Sequence, residues 1–206
     1  MLPQEDWRKI FCMIKIGIIA EDNSDIAALF VLIERISKYP FKREKYAAKG
    51  CGKLKLKCSK IANMWTSKKN VTHIIICHDL DGSDPSQYKK LMKHLRMKVS
   101  NVSGHKNSIC IVIPIQELEA WFLSDINGLA KIFSGLSIQN IPSPEAIQGP
   151  KEYIAKMSRD KKSKPRYIHT RHNAELAKSV NINKIFEKCP AFRPFYEFVL
   201  KIREKG

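Results

Sequence analysis

Residues 13–37 read MIKIGIIAEDNSDIAALFVLIERIS and are the segment whose pattern is most informative about the fold. Its first eight residues, 13–20, are mostly apolar and β-branched and are too few for a helix, which predicts a largely buried strand. The acids and small polar residues of 21–24 then provide helix-start chemistry. Apolar residues recur at helical spacing from Asp25 to Ser37. We therefore predict a strand, a tight turn and a helix in immediate succession.

The same alternation continues along the chain. Apolar runs predict strands at His73–His78 and Ser108–Ile115, and a helix is predicted between them over Pro85–Lys98. The segment Leu56–Lys69 predicts another helix, whereas the basic segment Tyr39–Cys58 predicts a loop with at most a short strand. Such alternation predicts an α/β fold with a mainly parallel sheet and helices on both faces.

The chain length of 206 residues fits one domain with a small appendage. We predict an α/β core over residues 12–135 and a helical C-terminal extension over residues 136–206 that packs on this core. No apolar stretch approaches the ~20 residues that span a bilayer, and the N-terminus does not resemble a signal peptide. The six cysteines contain no C-x-x-C pair, which favours reduced thiols over a zinc site. We therefore expect a cytoplasmic protein without a membrane partner.

The composition is strongly basic. The chain has 37 Lys and Arg against 20 Asp and Glu, a formal net charge of +17, which suggests a polyanionic partner. Eleven basic residues and one acid, Glu44, lie between Lys38 and Lys69, and a second basic run extends from Lys156 to Arg171. Aromatic residues are interleaved with the first run, as in a surface on which bases stack. These aromatic residues are Tyr39, Phe41, Tyr46 and Trp65.

These two runs supply the candidate nucleic-acid-binding residues. The lysines of the first run alternate with leucines, which fits an exposed edge strand as well as a rail for phosphates. The candidates are Lys53, Lys55, Lys57, Lys161, Lys162, Lys164 and Arg166.

The acids are distributed differently. Nine of the twenty lie in three short windows, within residues 21–25, 79–84 and 117–125, and each window follows a predicted strand. Ligands of open parallel sheets bind beyond the carboxyl ends of the strands. We therefore expect the carboxylates of the three windows to gather at one edge of the sheet.

Gathered carboxylates repel one another unless a cation neutralises them, and Mg²⁺ takes one or two carboxylates together with phosphate oxygens and water. Helix capping and turn formation are sufficient to explain Asp22, Asp25 or Asp84 taken singly. They explain less well the pair in Asp79-Leu80-Asp81-Gly82, with Glu21 on the neighbouring strand. This convergence favours a metal site.

Three segments also carry a resemblance to a known family. Residues 21–25 after the first strand, and Asp79-Leu80-Asp81-Gly82 after a later strand, resemble the Toprim domain of topoisomerases, DnaG-type primases and the overcoming-lysogenization-defect nucleases. Residues 117–125, ELEAWFLSD, are similar to the E-x-E-A-W-x-L-x-D signature of a bacterial family of small stand-alone Toprim-like proteins, mostly filed as domains of unknown function. The ending, residues 182–199, resembles that family's tail, so the likeness extends from about Ile14 to Ile202.

The resemblance implies a Toprim, Rossmann-like fold with a largely parallel four-stranded sheet flanked by helices. It also implies that Glu21, Asp79 and Asp81 bind Mg²⁺ or Mn²⁺. Toprim proteins usually have Gly directly after the first Glu, and here Asp22 stands in its place.

Four further residues are open to two interpretations. Glu117 and Glu119 join the candidate catalytic set, but on a helix only one of them would face the site. His78 is a candidate proton carrier or a packed side chain at a strand end. For Trp121, the apolar neighbours favour a place in the core over a base-stacking role.

The leading hypothesis is a Mg²⁺-dependent nuclease that acts on DNA or RNA. Relatives suggest a role in defence against phages or plasmids, with an ATPase subunit as a candidate partner. A non-catalytic nucleic-acid-binding or complex-forming subunit on a Toprim scaffold is the first alternative. The second is a haloacid-dehalogenase-like phosphatase, because Asp79-Leu80-Asp81-Gly82-Ser83 looks like the D-x-D-G-T/V opening in which the first Asp is the nucleophile.

Overall fold

The computed structural model describes four stretches of the chain: residues 14–102, 108–136, 140–159 and 164–204. Within them, four strands form one sheet in the order β2-β1-β3-β4, and every pairing is parallel. This arrangement confirms the predicted α/β fold with a parallel, Rossmann-like sheet. The strands are β1 (Lys15–Ala20), β2 (Lys42–Ala47), β3 (His73–Cys77) and β4 (Ile109–Val112).

Helices connect the strands and make up most of the chain after β4. Three long helices follow β1, β2 and β3 in turn: α1 (Asn23–Ser37), α2 (Cys51–Lys68) and α3 (Pro85–Val99). Six further helices follow β4: α4 (Glu119–Leu123), α5 (Ile126–Ala130), α6 (Pro150–Met157), α7 (His169–Ser179), α8 (Ile182–Lys188) and α9 (Arg193–Glu204). Two short 3₁₀ turns cover Pro144–Ala146 and Pro190–Phe192.

The strand order fixes where a ligand can bind. Strand β1 lies between β2 and β3, so the chain leaves β1 toward one edge of the sheet and later returns to its other side. The crevice at such a reversal, beyond the carboxyl ends of the strands, is where open parallel sheets bind ligands. In this chain the crevice lies where β1 and β3 end, at Ala20 and Cys77.

The helices cover both faces of the sheet. The larger hydrophobic cluster joins α1 to side chains of the C-terminal helices, and the smaller one joins α2 and α3 to the opposite face. The Arg35 guanidinium of α1 donates to the carbonyls of Ala177 and Val180, at 2.6 and 2.7 Å. These hydrogen bonds fix the carboxyl end of α7 against α1. The described part of the extension therefore packs on the core. The division at residue 135 stays a prediction.

Two sequence-based expectations for the basic segment are wrong. The segment Tyr39–Cys58 does contain a short strand, β2, as the prediction allowed, but from Cys51 onward it forms the first two turns of α2 and not a loop. Consequently Lys53, Lys55 and Lys57 lie on a helix and not on an edge strand. The buried residues of α2 are three or four apart, whereas Leu56, which suggested strand alternation, is 74% exposed. The helical period therefore outweighs the short alternation.

The core also accounts for most of the described cysteines and for two tryptophans. Trp121 is fully buried, as predicted, but Trp65 is buried as well, so it cannot belong to a base-stacking surface. The five described cysteines are free thiols, and all except Cys51 are buried; Cys12 lies outside the described residues. No helix in the described stretches is long and apolar enough to cross a membrane.

Gly17 lets α2 lie close to the sheet. A Cβ atom at this position would overlap the Trp65 ring and would lie 3.1 Å from a methyl group of Val71. We predict that Gly17→Ala lowers the free energy of unfolding by about 2 kcal/mol, because the buried ring has no room to move. Urea denaturation measures this change. Gly52→Ala is the control, since a Cβ there meets nothing within 4 Å; equal effects of the two substitutions would contradict the prediction.

Candidate carboxylate site

Carboxylates from three segments meet where β1 and β3 end. Glu21 directly follows β1, Asp79 follows β3 by one intervening residue, and Glu119 begins α4 after β4. Glu21 and Glu119 are both close enough to Asp79 to influence its ionisation. The expected gathering of acids at one edge of the sheet is therefore found. We call the set Glu21, Asp25, Asp79, Asp81 and Glu119 the carboxylate cluster.

Glu21 is a half-buried member of the cluster. Burial, followed by the nearby Asp81 carboxylate, raises the pKa of Glu21 to about 7, although the Lys55 ammonium opposes the rise. Its Oε1 atom is buried and has no hydrogen-bond partner among the described residues. The Nδ1 atom of His78 lies 3.4 Å from this oxygen. An acceptor left without a donor in this way is costly, and a cation would satisfy it.

Asp25, an acid of the first window for which capping was the alternative explanation, also belongs to the cluster. It is 8% exposed in the first turn of α1. Burial, together with the carboxylates of Asp22, Glu119 and Glu21, raises the pKa of Asp25 to about 8. The helix is capped by Asp22 instead, whose Oδ1 accepts from the Ser24 and Asp25 N–H groups at 2.6 and 3.1 Å. Because Asp22 alone caps the helix, Asp25 is not needed as a cap. The presence of a second acid at this helix start could have indicated another role for Asp25.

The capping geometry also shows why residue 22 can carry a side chain. Asp22 has φ −136° and ψ 177°, an extended conformation that any residue adopts. No glycine is required there for backbone reasons. Its other oxygen, Oδ2, lies 3.9 Å from Nε2 of His169 at the start of α7.

The two acids of Asp79-Leu80-Asp81 differ in exposure, since Asp79 is half-buried and Asp81 lies on the surface. Burial, and then the carboxylates of Asp25 and Glu119, raise the pKa of Asp79 well above its usual range. Asp81 is exposed, with a left-handed φ of 55°. Its N–H donates to the Gln116 carbonyl at 2.9 Å, and the Gln116 N–H donates to the Gly82 carbonyl at 2.8 Å. These two bonds join the loop after β3 to the loop after β4.

The structure distinguishes the two glutamates of the third window. Glu119 is 4% exposed and faces the cluster, where its Oε1 accepts from the Tyr167 hydroxyl at 2.8 Å and from the Asn173 amide at 3.1 Å. Glu117 instead accepts from the N–H of Lys151, at 3.0 Å, in the first turn of α6. Burial raises the pKa of Glu117. Glu119 is thus the member that joins the cluster, and Glu117 holds a helix start.

Tyr167 and Asn173 were not found by sequence reasoning. Both are uncharged residues of the C-terminal extension, 5% and 1% exposed, and the Tyr167 hydroxyl also contacts Oδ1 of Asn173 at 2.6 Å. Burial and the Glu119 carboxylate raise the pKa of Tyr167. Nothing in the local sequence pattern marks them, because their position beside Glu119 depends on how α7 packs against α1.

His78 is both packed and adjacent to the cluster. The ring is 3% exposed, and Nδ1 lies 2.6 Å from the Asp79 carbonyl. A carbonyl only accepts, so the proton lies on Nδ1. Burial lowers the pKa of His78, which favours the neutral ring. Its Nε2 atom is buried and lacks a hydrogen-bond partner within the described part of the chain.

The donor set fits a hard divalent cation. Within the described stretches, no three Asp, Glu, His or Cys side chains converge as a preassembled metal site. Mg²⁺ needs only one or two protein carboxylates, however, because water and phosphate oxygens supply its other ligands. The buried, unpartnered Oε1 of Glu21 and the carboxylate of Asp79 are oxygen ligands of the kind that such an ion takes.

The predicted basic residues differ in their surroundings. Lys53 and Lys57 are exposed on α2, while Lys55 is half-buried and acts electrostatically on Glu21 and His78. Their role in binding nucleic acid stays a prediction.

The second basic run is only partly described. Lys161 and Lys162 lie outside the described residues, and Lys164 is exposed. Arg166 is committed to the fold: its Nε donates to the Ser158 carbonyl and its Nη2 to the Ser134 carbonyl, both at 2.7 Å. Arg166 thus has fewer donors left for a phosphate than its sequence position suggested.

The raised pKa values predict how stability depends on pH. Asp25 has a pKa of about 8 in the folded chain, against an ordinary value of 3.8, so between these pH values the folded state keeps a proton that the unfolded state releases. The free energy of unfolding therefore falls as pH rises through this range. We predict that Asp25→Asn gains stability relative to wild type between pH 5 and pH 8, by up to about 4 kcal/mol. Urea denaturation at both pH values, without divalent cations, measures the gain.

Asp84→Asn is the matched control. Asp84 is exposed, and its N-capping bond to the Ser86 N–H lowers its pKa, so it is ionised in both states between pH 5 and pH 8. The control should follow wild type. If Asp25→Asn does so as well, Asp25 does not carry the raised pKa.

Comparison with known proteins places the sequence in one family. A family model described as "Domain of unknown function (DUF4276)" matches residues 20–200. The comparison with curated proteins gives no match, and neither does the comparison with solved structures.

Proposed function

Since the chain belongs to the DUF4276 family, whose description assigns no activity, we propose from the site itself that the protein is a Mg²⁺-dependent phosphodiester-cleaving enzyme acting on DNA or RNA. The observation that carries the proposal is the carboxylate cluster at the crevice between β1 and β3. A Toprim relationship, inferred from the three acidic motifs, is part of the same proposal.

The cluster has properties that a structural role does not require. Three of its carboxylates, Glu21, Asp25 and Asp79, have raised pKa values, which means that burial and mutual repulsion destabilise their charged forms. Buried acids that only support a fold are usually paired with donors or cations. Perturbed carboxylates in a crevice are more typical of a functional site, and the positive net charge of the chain favours an anionic substrate.

Each residue has a role in this proposal. Glu21, Asp79 and Asp81 hold Mg²⁺ or Mn²⁺, with Asp25 and Glu119 as neighbouring carboxylates that add negative potential. When bound, the metal supplies an activated water and stabilises charge on the scissile phosphate. Tyr167 and Asn173 orient Glu119, and Asp22 fixes the start of α1. The exposed lysines of α2 attract the nucleic acid.

The biological setting is also a proposal. The resemblance to nucleases of the overcoming-lysogenization-defect type suggests cytoplasmic defence against phages or plasmids, with an ATPase subunit as a candidate partner.

Metal binding can be tested without any activity. We predict that the wild-type protein binds Mn²⁺ and that Asp79→Asn weakens this binding at least about tenfold, because a carboxylate at the centre of the cluster is lost. Electron paramagnetic resonance of free Mn²⁺ measures the affinity. Asp84→Asn, which changes an acid of the same loop outside the cluster, should bind as wild type does. Equal affinity of Asp79→Asn and wild type would place the metal elsewhere.

Cleavage is the decisive assay. With Mg²⁺ or Mn²⁺, we expect the protein to cut at least one of single-stranded DNA, duplex DNA and RNA, and Asp79→Ala to reduce the rate at least about a hundredfold. Asp84→Asn is again the control. If no substrate is cut but binding falls steeply with salt and ignores Mg²⁺, the protein is a non-catalytic nucleic-acid-binding subunit. Cleavage of small phosphate monoesters with phosphate trapped on Asp79 would instead favour the phosphatase.

A further inference from the structure

A pocket of about 420 Å³ opens beside the carboxylate cluster, between α2 and α3. Its wall on the cluster side is formed by His78 and Asp81, so the pocket and the crevice are continuous. Pockets of this size accommodate one small-molecule ligand or one unit of a polymer. We call it the α2–α3 pocket.

The lining of the pocket combines apolar and cationic groups. Leu80 and Leu91 are almost buried, at 8% and 9% exposure, and supply an apolar surface. Lys55 of α2 and Lys90 of α3 also line the pocket. An apolar surface beside two ammonium groups suits a ligand that has a flat apolar body and a negative group, and inorganic phosphate has only the second of these.

A nucleotide has both features, because its base is a flat apolar body and its phosphate is negative. His78 and Asp81 join the pocket to the loop that carries Asp79, so a nucleotide in the pocket lies next to the carboxylate cluster.

We propose that the α2–α3 pocket holds one nucleotide of the substrate strand, adjacent to the phosphate that is cleaved. The proposal rests on the proposed function, because it identifies where that substrate lies. The base packs on Leu80 and Leu91, and a phosphate oxygen contacts Lys55 and Lys90.

Binding in EDTA separates this proposal from catalysis. We expect a fluorescein-labelled single-stranded oligonucleotide to bind in EDTA, and Lys90→Gln to weaken the binding about tenfold, since one charge-assisted contact is lost. Lys89→Gln is the matched control. It removes the same charge from the adjacent residue of α3, which is exposed and does not line the pocket. Equal weakening by both variants would mean that only net charge matters and would overturn the proposal.

Cys51 provides a local readout, because it is the exposed thiol among the described cysteines and it lines the pocket. In a Cys12→Ser background, 5′-AMP should slow the reaction of Cys51 with a thiol reagent several-fold, and adenosine or inorganic phosphate alone should slow it less. Protection by phosphate equal to that by 5′-AMP would reduce the site to an anion site and would overturn the nucleotide proposal.

The two proposals fail in different ways. If the oligonucleotide is cut but 5′-AMP does not protect Cys51 and Lys90→Gln binds as Lys89→Gln does, the pocket proposal is wrong and the nuclease stands. If the pocket binds nucleotides as predicted but no nucleic acid is cut with any divalent metal, the pocket stands and the nuclease proposal is wrong.

Discussion

The parallel pairing of β1 with β3 is the constraint on which the site depends. The register that matches Ile16 with His73 and Ile19 with Ile76 brings the two strands to an end at the same level. Glu21 and Asp79 must then leave the sheet side by side. The isoleucines of both strands are buried on both faces of the sheet, so a slip of this pairing would cost much apolar burial. The hydrophobic core thus forces the carboxylates together against their own repulsion.

The C-terminal extension completes the site as well as the fold. Helix α7 packs along α1, and the Arg35 guanidinium fixes its carboxyl end. This packing carries Tyr167 and Asn173 to Glu119. Two neutral donors hold this buried side chain in one orientation, directed at the cluster. A salt bridge at this position would have satisfied Glu119 and removed it from the cluster.

A salt bridge of that kind occurs elsewhere in the same window. Burial alone would raise the pKa of Asp125, but the Lys184 ammonium at 2.7 Å and the Asn181 N–H lower it below its ordinary value. Asp125 is therefore a structural acid that joins α5 to α8. Asp125 thus has a lysine partner, whereas among the described residues neither Asp25 nor Asp79 forms an ion pair, and their pKa values are raised.

How much of this could be predicted depends on the range of the interactions. The strands, the helix after β1 and the edge where the acids gather follow from local apolar patterns and from the geometry of parallel sheets. Asp25 could have been recognised once Asp22 was chosen as the cap, since the helix start has room for one such residue. The lysines of α2 were misplaced because a short alternation with leucine imitates a strand. The choice of Glu119 over Glu117, and the part played by Tyr167, depend on long-range packing and have no local signature.

The charges of the carboxylate cluster and of the pocket lysines affect how the proposed substrate binds. A bare cluster of ionised carboxylates would repel a phosphate, while Lys55 and Lys90 in the adjoining pocket would attract one. At pH 7 the cluster can avoid this conflict by keeping protons on Glu21 and Asp25, whose pKa values are about 7 and 8, or by binding a cation. Binding a cation would displace those protons, and the bound cation would itself attract phosphate. On the proposed function, metal and nucleic acid therefore bind cooperatively, since each removes a repulsion that opposes the other.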